Sequence, residues 1–268
     1  MEQACAPIAV FDSGVGGISV LRELVCCMPQ EHFLYFGDSA NAPYGARSTQ
    51  EVRKLTLAAA KMLFDQGAKA LVVACNTATA AAIEALRSTW PEKIIVGIEP
   101  ALKLAVERHM GGRVVVMGTS VTIREQKFHT LLERFQTESE IIPLACPGLV
   151  ELIEAGQTAG NQVSTLLRQE LEPALEKPLD AVVLGCTHYP FVKKEIRRIV
   201  GEQPEILDGG AGTARQTQRR LAQAGILKEN GAGSVRIENS LNSEMVELSR
   251  RLLNAPQGEN VLANRSQP

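Results

Sequence analysis

Short apolar segments alternate with longer amphipathic segments along most of the chain. The apolar segments predict strands at 8–11, 33–36, 70–74, 93–97, 113–117, 141–144, 180–184 and 205–207. The segments between them place apolar residues three or four positions apart, which predicts helices at 18–28, 49–66, 77–87, 123–135, 161–175 and 191–200. Strands that alternate with helices in this way are typical of an α/β fold.

Several predicted strands are apolar at nearly every position rather than at every second one. This pattern is typical of parallel strands whose two faces are both covered by helices. Ligands of such sheets bind beyond the carboxyl ends of the strands. Because the polar and reactive residues of this chain directly follow several strands, we expect a functional site at those ends.

Two strand ends recur in the same order in the second half of the chain. IAVFDSG, at 8–14, resembles VVVMGTS, at 114–120, and LVVACNT, at 71–77, resembles AVVLGCTH, at 181–188. Strands of unrelated α/β proteins also resemble one another, but two matched pairs in one order favour an internal duplication. The sequence therefore predicts two similar parallel-sheet α/β lobes, related by pseudo-two-fold symmetry, with the active site in the cleft between them.

The boundaries of the two lobes follow from these repeats. Lobe A is predicted to contain 1–98 plus 208–268 and to carry Asp12 and Cys75, and lobe B to contain 99–207 and to carry Thr119 and Cys186. A third strand end, LDGGAGT, precedes a helical pattern that returns the chain to lobe A. Residues 255–268 lack apolar periodicity and are predicted to form a frayed tail.

The composition excludes several classes of function. A hydrophobic fraction of 45% and a formal net charge of −2 are typical of a globular protein. Without basic runs, direct nucleic-acid binding is not expected, and a small neutral or anionic ligand is favoured. No apolar stretch approaches the roughly 18 residues of a membrane-spanning helix, and the N-terminal sequence lacks a secretory pattern. We therefore expect a cytoplasmic protein without a membrane partner.

The six cysteines are expected to be free thiols, because thiols of cytoplasmic proteins are kept reduced. The chain contains no CxxC pair, so neither a zinc site nor a dithiol redox motif is predicted, and no metal is expected. Any cysteine chemistry must therefore use single thiols.

Cys75 and Cys186 stand at matching strand ends, each before a predicted helical segment. A helix N-terminus favours the thiolate form of a cysteine, and a thiolate is an effective base as well as a nucleophile. A lone cysteine is usually a small buried apolar residue. Two cysteines at matching strand ends favour a chemical role for both.

The glycine-rich segment DSGVGG begins with Asp12 and Ser13. Its glycines allow the backbone to approach an anion at the start of the next helix. The spacing does not match GxGxxG or a P-loop, so a carboxylate ligand suits it as well as a phosphate. The alternative for Asp12 is a helix-capping role, since Asp and Ser both cap helices well.

Three further residues could contribute to a site. Tyr44 lies in the turn-rich segment NAPYG, where it could cover a ligand, although turn formation alone also explains that segment. Glu154 lies on a predicted helix and would by itself be a solvated carboxylate. His188 follows Cys186 by two residues and could tune or orient its thiol.

Taken together, these motifs resemble the glutamate racemase family. The resemblance covers roughly residues 8–215 and rests on FDSGVGG, GDSANAPYG, VVACNTAT, GIEPA, GTSVTI, CPGLVELIEAG and VLGCTHYP. It implies cofactor-independent interconversion of L-glutamate and D-glutamate, which supplies D-glutamate for bacterial peptidoglycan. It also implies two cysteine bases, with Cys75 deprotonating D-glutamate and Cys186 deprotonating L-glutamate, and a homodimer.

The resemblance also implies the remaining site residues. Asp12, Glu154 and His188 would assist proton transfer. The substrate-binding residues would be Asp12, Ser13, Tyr44, Gly45, Asn76, Thr77, Thr119, Thr187 and His188. Preorganised donors of this kind stabilise the charge that develops when an α-proton is removed.

Two departures from the family pattern are Glu125, where many relatives have a small residue, and Phe128, where many have tyrosine. They could alter dimer contacts or effector response. The alternatives to glutamate racemisation are racemisation of aspartate or another amino acid, a secondary role in binding DNA gyrase, and hydrolysis by a single thiol nucleophile. A single nucleophile would not need both Cys75 and Cys186.

Overall fold

The computed structural model describes residues 2–124, 130 and 132–255. Glu125, Phe128, most of the predicted helix at 123–135 and the predicted tail from 256 onward lie outside the described residues. The chain divides into two compact units. Unit 1 contains Met1–Glu99 and Gly210–Leu253, and unit 2 contains Pro100–Gly209.

The first part of unit 1 alternates strands and helices. Its helices are α1 (Glu2–Cys5), α2 (Ile18–Cys27), α3 (Thr49–Asp65) and α4 (Asn76–Thr89), and its strands are β1 (Ile8–Asp12), β2 (His32–Gly37), β3 (Ala70–Val73) and β4 (Ile94–Gly97). Short 3-10 turns at Ser39–Asn41 and Tyr44–Ala46 lie between β2 and α3. Helix α3 begins with a capping box, in which the side chains of Ser48 and Glu51 each accept a hydrogen bond from the other's backbone N–H.

Unit 2 continues the alternation, and the chain then returns to unit 1. Unit 2 contains α5 (Leu102–Arg108), β5 (Arg113–Gly118), α6 (Ser120–Arg124), β6 (Glu140–Ala145), α7 (Leu149–Glu154), α8 (Asn161–Leu171), β7 (Ala181–Leu184), α9 (Lys193–Val200) and β8 (Glu205–Asp208), with 3-10 turns at Glu172–Glu176 and Tyr189–Val192. The returning segment forms α10 (Gly210–Gln223), β9 (Ser234–Asn239) and α11 (Ser243–Asn254).

The strands of unit 1 form one parallel sheet in the order β4-β3-β1-β2-β9. The central strand β1 is buried along its whole length, which explains why it is apolar at consecutive positions. Phe11 and Leu71 of this sheet pack in one core with Leu63 of α3 and Leu86 of α4. Helices α2 and α10 pack against each other.

The strands of unit 2 form a second parallel sheet in the order β6-β5-β7-β8. Val114 and Val116 of β5 pack with Ala181 of β7 and with Leu102 and Val106 of α5. The predicted fold class of two parallel-sheet α/β lobes is therefore confirmed.

The two sheets share one connectivity. Sheet 2 read as β8-β7-β5-β6 corresponds strand by strand to β4-β3-β1-β2 of sheet 1. The strands that end in DSG and GTS are β1 and β5, and the strands that precede the two cysteines are β3 and β7. Both matched pairs therefore occupy equivalent places, which supports an internal duplication.

The sequence analysis did not predict strand β9 or helix α11. Strand β9 lies at the edge of its sheet and pairs only with β2 among the described strands. Its residues are exposed or half-buried, and it carries Arg236 and Glu238. Because an edge strand buries little apolar surface, its sequence lacks the apolar run that identified the other strands.

A buried ion pair ties together the amino ends of the unit 1 strands. The side chains of Lys69 and Glu31 are both 0% exposed, and Lys69 Nζ lies 2.7 Å from Glu31 Oε2. The ammonium also donates to the carbonyl oxygens of Ala4, at 2.8 Å, and Ile226, at 2.9 Å. Glu31 Oε1 accepts the backbone N–H of Lys228 at 2.8 Å. The pair therefore fastens both the first residues and the returning segment to the sheet.

We expect Lys69→Met to reduce the free energy of unfolding by about 3–5 kcal/mol, because it leaves the Glu31 carboxylate buried without its partner charge. Urea denaturation measures this change. The matched control is Lys61→Met, which breaks an ion pair with Asp65 whose side chains are 69% and 63% exposed and should change stability little. Equal effects of the two variants would contradict the expectation.

Candidate active site

Parallel pairing of β1 with β3 brings Ser13 and Cys75 together. Both residues follow the carboxyl end of their strand, and Ser13 Oγ lies 3.5 Å from Cys75 Sγ. Cys75 is the N-cap residue of the 14-residue helix α4, and its sulfur accepts the backbone N–H of Ala78 at 3.4 Å. Only 5% of Cys75 is exposed. The thiol therefore lies at a helix N-terminus that favours negative charge on sulfur.

Asp12 ends β1 and is fully buried. Its Oδ1 accepts the backbone N–H of Gly14 at 2.8 Å, within the loop, whereas the N-cap residue of α2 is Gly17. A Cβ atom at Gly17 would lie 2.6 Å from Asp12 Cβ and 3.0 Å from Ala74 Cβ. A glycine at 17 therefore leaves room for the Asp12 side chain, which supports a role for this segment other than simple capping of α2.

The first turn of α4 carries Asn76 and Thr77, which are both buried. Among the described residues, the side-chain oxygen of Asn76 is buried without a hydrogen-bond partner. A buried acceptor without a hydrogen-bond partner lowers the free energy of unfolding by about 1–3 kcal/mol. It can recover that energy by accepting a hydrogen bond from the donor of a bound ligand, such as an ammonium group.

Tyr44 is 1% exposed and packs in the same apolar core as Phe11 and Cys75. Its hydroxyl donates to Asp38 Oδ2 at 2.7 Å. Burial and the hydrogen bond to Asp38 both raise the pKa of Tyr44 well above its ordinary value, so the phenol stays protonated. Gly45 follows in the same 3-10 turn and is half-buried.

In unit 2, the segment after β7 places Cys186, Thr187 and His188 in a buried group. Cys186 Sγ lies 3.6 Å from His188 Nδ1, and His188 Nε2 lies 2.6 Å from Glu154 Oε1. Glu154 is the last residue of α7. The imidazole therefore bridges a thiol and a carboxylate, so Glu154 is not the solvated carboxylate that an isolated glutamate would be.

Thr119 follows β5 and is half-buried. Its Oγ1 accepts the backbone N–H of Thr122 at 3.2 Å and lies 2.9 Å from Thr122 Oγ1. This contact orients the Thr119 hydroxyl at the start of α6. Thr119 occupies the position in unit 2 that Ser13 occupies in unit 1.

Opposing effects act on His188. Burial alone lowers the pKa of His188, but the hydrogen bonds with Cys186 and Glu154, and the negative charges on these two groups, raise that pKa well above its ordinary value. The imidazolium form is therefore favoured in the folded protein. An imidazolium in this place can deliver a proton, and the neutral imidazole that remains can accept one.

The structure thus groups the predicted site residues by unit. Asp12, Ser13, Cys75, Asn76 and Thr77 gather at one edge of the first sheet, with Tyr44 and Gly45 in the adjoining turn. Thr119, Cys186, Thr187, His188 and Glu154 belong to unit 2.

Within the described ranges, no group of three or more His, Cys, Asp or Glu side chains could hold a metal ion, and no helix has the length and apolarity to span a bilayer.

Sequence reasoning did not single out Asp38, Tyr35 or Tyr189. Tyr35 is fully buried and donates its hydroxyl to the carbonyl oxygen of Gly14 at 2.7 Å. Tyr189, also fully buried, donates to the carbonyl oxygens of Gly118, at 3.2 Å, and Cys146, at 3.5 Å. Both tyrosines lie in apolar segments, where an aromatic residue is most simply a core residue, so only the contacts reveal that they brace strand ends.

The fold and the site define a protein of two duplicated parallel α/β units, in which one buried cysteine follows the equivalent strand of each unit. The chain belongs to the Asp/Glu/Hydantoin racemase family, whose pattern matches residues 17–217.

Relatives with similar sequences are named glutamate racemase. The chain is 48% identical to the glutamate racemase of Clostridium perfringens over 250 residues, which covers 92% of this chain and 96% of the relative. It is also 48% identical to the glutamate racemase of Clostridium novyi over 256 residues, which covers 94% of this chain and 99% of the relative.

Solved structures of glutamate racemases share the fold. The enzyme of Francisella tularensis in complex with D-glutamate superposes with a TM-score of 0.82 at 26% identity, covering 96% of each chain. The Escherichia coli enzyme in complex with L-glutamate gives a TM-score of 0.81 at 30% identity, covering 92% of this chain and 95% of the other.

We expect the pKa of His188 to lie above the ordinary histidine range. Glu154→Gln should lower that pKa, because it replaces the negative carboxylate beside His188 Nε2 with a neutral amide. Since the folded pKa exceeds the unfolded value of about 6.5, the linked stabilisation is complete below the unfolded pKa and is lost as pH rises through the folded pKa. Nitrogen-15 NMR titration of the four histidines measures this, with His188→Gln for assignment.

Glu205→Gln is the matched control, because Glu205 Oε2 lies 3.0 Å from His109 Nε2 in a half-buried pair of the same unit. It should leave the His188 titration unchanged. A His188 pKa that is ordinary in the wild type, or equally affected by both variants, would contradict the expected role of Glu154.

Proposed function

We propose that this protein interconverts L-glutamate and D-glutamate without a cofactor, by proton transfer between the substrate α-carbon and two cysteines. The observation that carries the proposal is the equivalent placement of Cys75 and Cys186 after β3 and β7. Near-complete coverage by relatives named glutamate racemase supports the choice of substrate.

The reaction needs one thiolate and one thiol. For L-glutamate, the Cys186 thiolate takes the α-proton and becomes a thiol, while the Cys75 thiol gives its proton to the opposite face of the carbanion. The product is D-glutamate, with Cys75 now a thiolate. The reverse reaction exchanges the roles, and proton exchange with solvent resets the thiols. This mechanism requires the two sulfurs on opposite faces of the α-carbon, so neither must carry a proton around the substrate.

Each thiol has neighbours suited to this task. Cys75 receives the N–H of Ala78 and lies beside the Ser13 hydroxyl. Cys186 lies beside His188, which Glu154 orients through the other ring nitrogen. We assign His188 and Glu154 to proton transfer at Cys186, and Asp12 to proton transfer at Cys75.

The remaining polar groups would bind the charged ends of glutamate. The buried oxygen of Asn76, unpartnered among the described residues, is suited to the substrate ammonium. Hydroxyl and backbone N–H donors suit the two carboxylates. The residues that we assign to substrate binding are Asp12, Ser13, Tyr44, Gly45, Asn76, Thr77, Thr119, Thr187 and His188.

The biological setting forms part of the same proposal. D-glutamate would be supplied in the cytoplasm for peptidoglycan synthesis, and the enzyme would act as a homodimer. We expect light scattering of the purified protein to give twice the mass of one chain. The mass of a single chain at assay concentration would exclude the dimer and leave the catalytic proposal standing.

We expect incubation in deuterated water to label the inverted product at the α-carbon, with little label in recovered substrate, because each thiol exchanges its proton with solvent between turnovers. Cys75→Ser and Cys186→Ser should each slow racemisation by about 10²- to 10⁴-fold. Circular dichroism follows racemisation of each enantiomer, and mass spectrometry follows the label.

Cys26→Ser is the control, because Cys26 is an exposed cysteine of α2 and should leave racemisation unchanged. Activity that survives Cys186→Ser but not Cys75→Ser would indicate a single-thiol mechanism. Racemisation of aspartate in preference to glutamate would overturn the substrate assignment while retaining the two-base mechanism.

A further inference from the structure

The carboxylate of Asp38 is the centre of a hydrogen-bond cluster beside the Cys75 site. Asp38 is 5% exposed and directly follows β2. Its Oδ2 accepts the Tyr44 hydroxyl at 2.7 Å. The side-chain amide of Asn41 donates to both carboxylate oxygens, at 3.1 Å each. One buried carboxylate therefore fastens two points of the segment that leads to Gly45.

The cluster is attached to the strand ends of unit 1. The backbone N–H of Asp38 donates to the carbonyl oxygen of Asp12 at 2.9 Å. On the other side, the side-chain amide of Asn239 donates to Ser39 Oγ at 2.9 Å, and the backbone N–H of Ala40 donates to Ser240 Oγ at 3.0 Å. Asp38 is thus held between the end of β1 and the end of β9, so the position of its carboxylate is fixed relative to the sheet.

Tyr44 connects Asp38 to helix α4, which begins directly after Cys75. Its ring packs against Phe11, with centroids 6.2 Å apart, and shares an apolar core with Cys75 and Ala78. The turn at Tyr44–Ala46 packs against α4, which begins directly after Cys75. Because the Tyr44 hydroxyl donates its hydrogen bond to Asp38, it fixes the turn at Tyr44–Ala46 to the Asp38 carboxylate.

We propose that Asp38 is a positioning residue for substrate binding, which acts through the Tyr44 hydroxyl to hold the turn at Tyr44–Ala46 against the Cys75 site. The inference rests on the proposed function for its substrate, glutamate, and extends it to Asp38, whose carboxylate accepts hydrogen bonds from Asn41 and Tyr44. Because the Tyr44 hydroxyl donates to Asp38, the substrate-binding role that we assign to Tyr44 lies in its turn and not in its hydroxyl. Loss of the hydroxyl should therefore act on KM.

Steady-state kinetics with both enantiomers tests the proposal in Asp38→Asn, Tyr44→Phe and the double variant. Tyr44→Phe removes the hydrogen bond to Asp38, and Asp38→Asn replaces its charged acceptor with a neutral one, so each single variant should raise KM by about tenfold to hundredfold. Loss of binding that is equal in ground state and transition state leaves kcat nearly unchanged. The double variant should match Tyr44→Phe alone, because Asp38 acts through the hydroxyl.

Asp65→Asn is the matched control, since Asp65 is an exposed acidic residue of the same unit paired with Lys61. It should leave KM and kcat unchanged. If Asp38→Asn fails to fold, Tyr44→Phe still removes the hydrogen bond and must raise KM by itself. Multiplicative KM effects in the double variant, or an unchanged KM in Tyr44→Phe, would overturn the proposal.

A spectroscopic measurement separates this inference from the identity of the substrate. The chain has three tyrosines, so protein labelled with 3-fluorotyrosine gives a fluorine NMR spectrum in which Tyr44→Phe assigns the Tyr44 signal. Asp38→Asn should shift that signal and should accelerate alkylation of Cys75 by iodoacetamide, measured by peptide mass spectrometry.

These readouts do not require turnover. If the wild type fails to racemise glutamate, the proposed function fails, and a shifted Tyr44 signal with faster Cys75 alkylation still supports the positioning role. A Tyr44 signal or a Cys75 alkylation rate that does not respond to Asp38→Asn overturns it.

Discussion

Parallel pairing of the two central strands in each unit is the constraint on which the site depends. The carboxyl ends of parallel strands lie at the same edge of a sheet, so residues that follow neighbouring strands lie close together even when they are distant in sequence. In unit 1 this pairing brings Ser13 to within 3.5 Å of Cys75. In unit 2 the same connectivity gives β5 and β7 equivalent places, and with them Thr119 and Cys186. The duplicated fold therefore places one cysteine after the equivalent strand of each unit, Cys75 after β3 and Cys186 after β7.

The two thiols differ in how their surroundings favour negative charge. Cys75 accepts the backbone N–H of Ala78 at a helix N-terminus and lies beside the Ser13 hydroxyl. Cys186 relies on an ionisable neighbour, His188, which is itself held by Glu154. Burial lowers the pKa of His188, whereas its hydrogen bonds with Cys186 and Glu154 raise that pKa above its ordinary value. The two units of a duplicated framework therefore differ in the electrostatic surroundings of their equivalent cysteines.

Much of the fold and part of the site could be predicted from the sequence. Strands buried on both faces are apolar throughout, so β1, β3, β5 and β7 were identifiable, and Cys75 and Cys186 stood out because they follow such strands. Asp38 was not identifiable, because an acidic residue in a turn-rich segment usually faces solvent. Its role follows from partners at Asn41 and Tyr44 that only the folded turn brings to one carboxylate. Strand β9 was missed because an edge strand needs no apolar run.

The sequence by itself determined the α/β class, the duplication and the pair of thiols, because burial and helix geometry impose periodic patterns that can be seen without coordinates. Only the tertiary structure decided which polar groups meet. The contact between His188 and Glu154 joins residues on separate elements, and the ion pair of Lys69 with Glu31 joins residues far apart along the chain. Such contacts depend on the direction of individual side chains in a packed interior, which a linear pattern of apolar and polar residues does not encode.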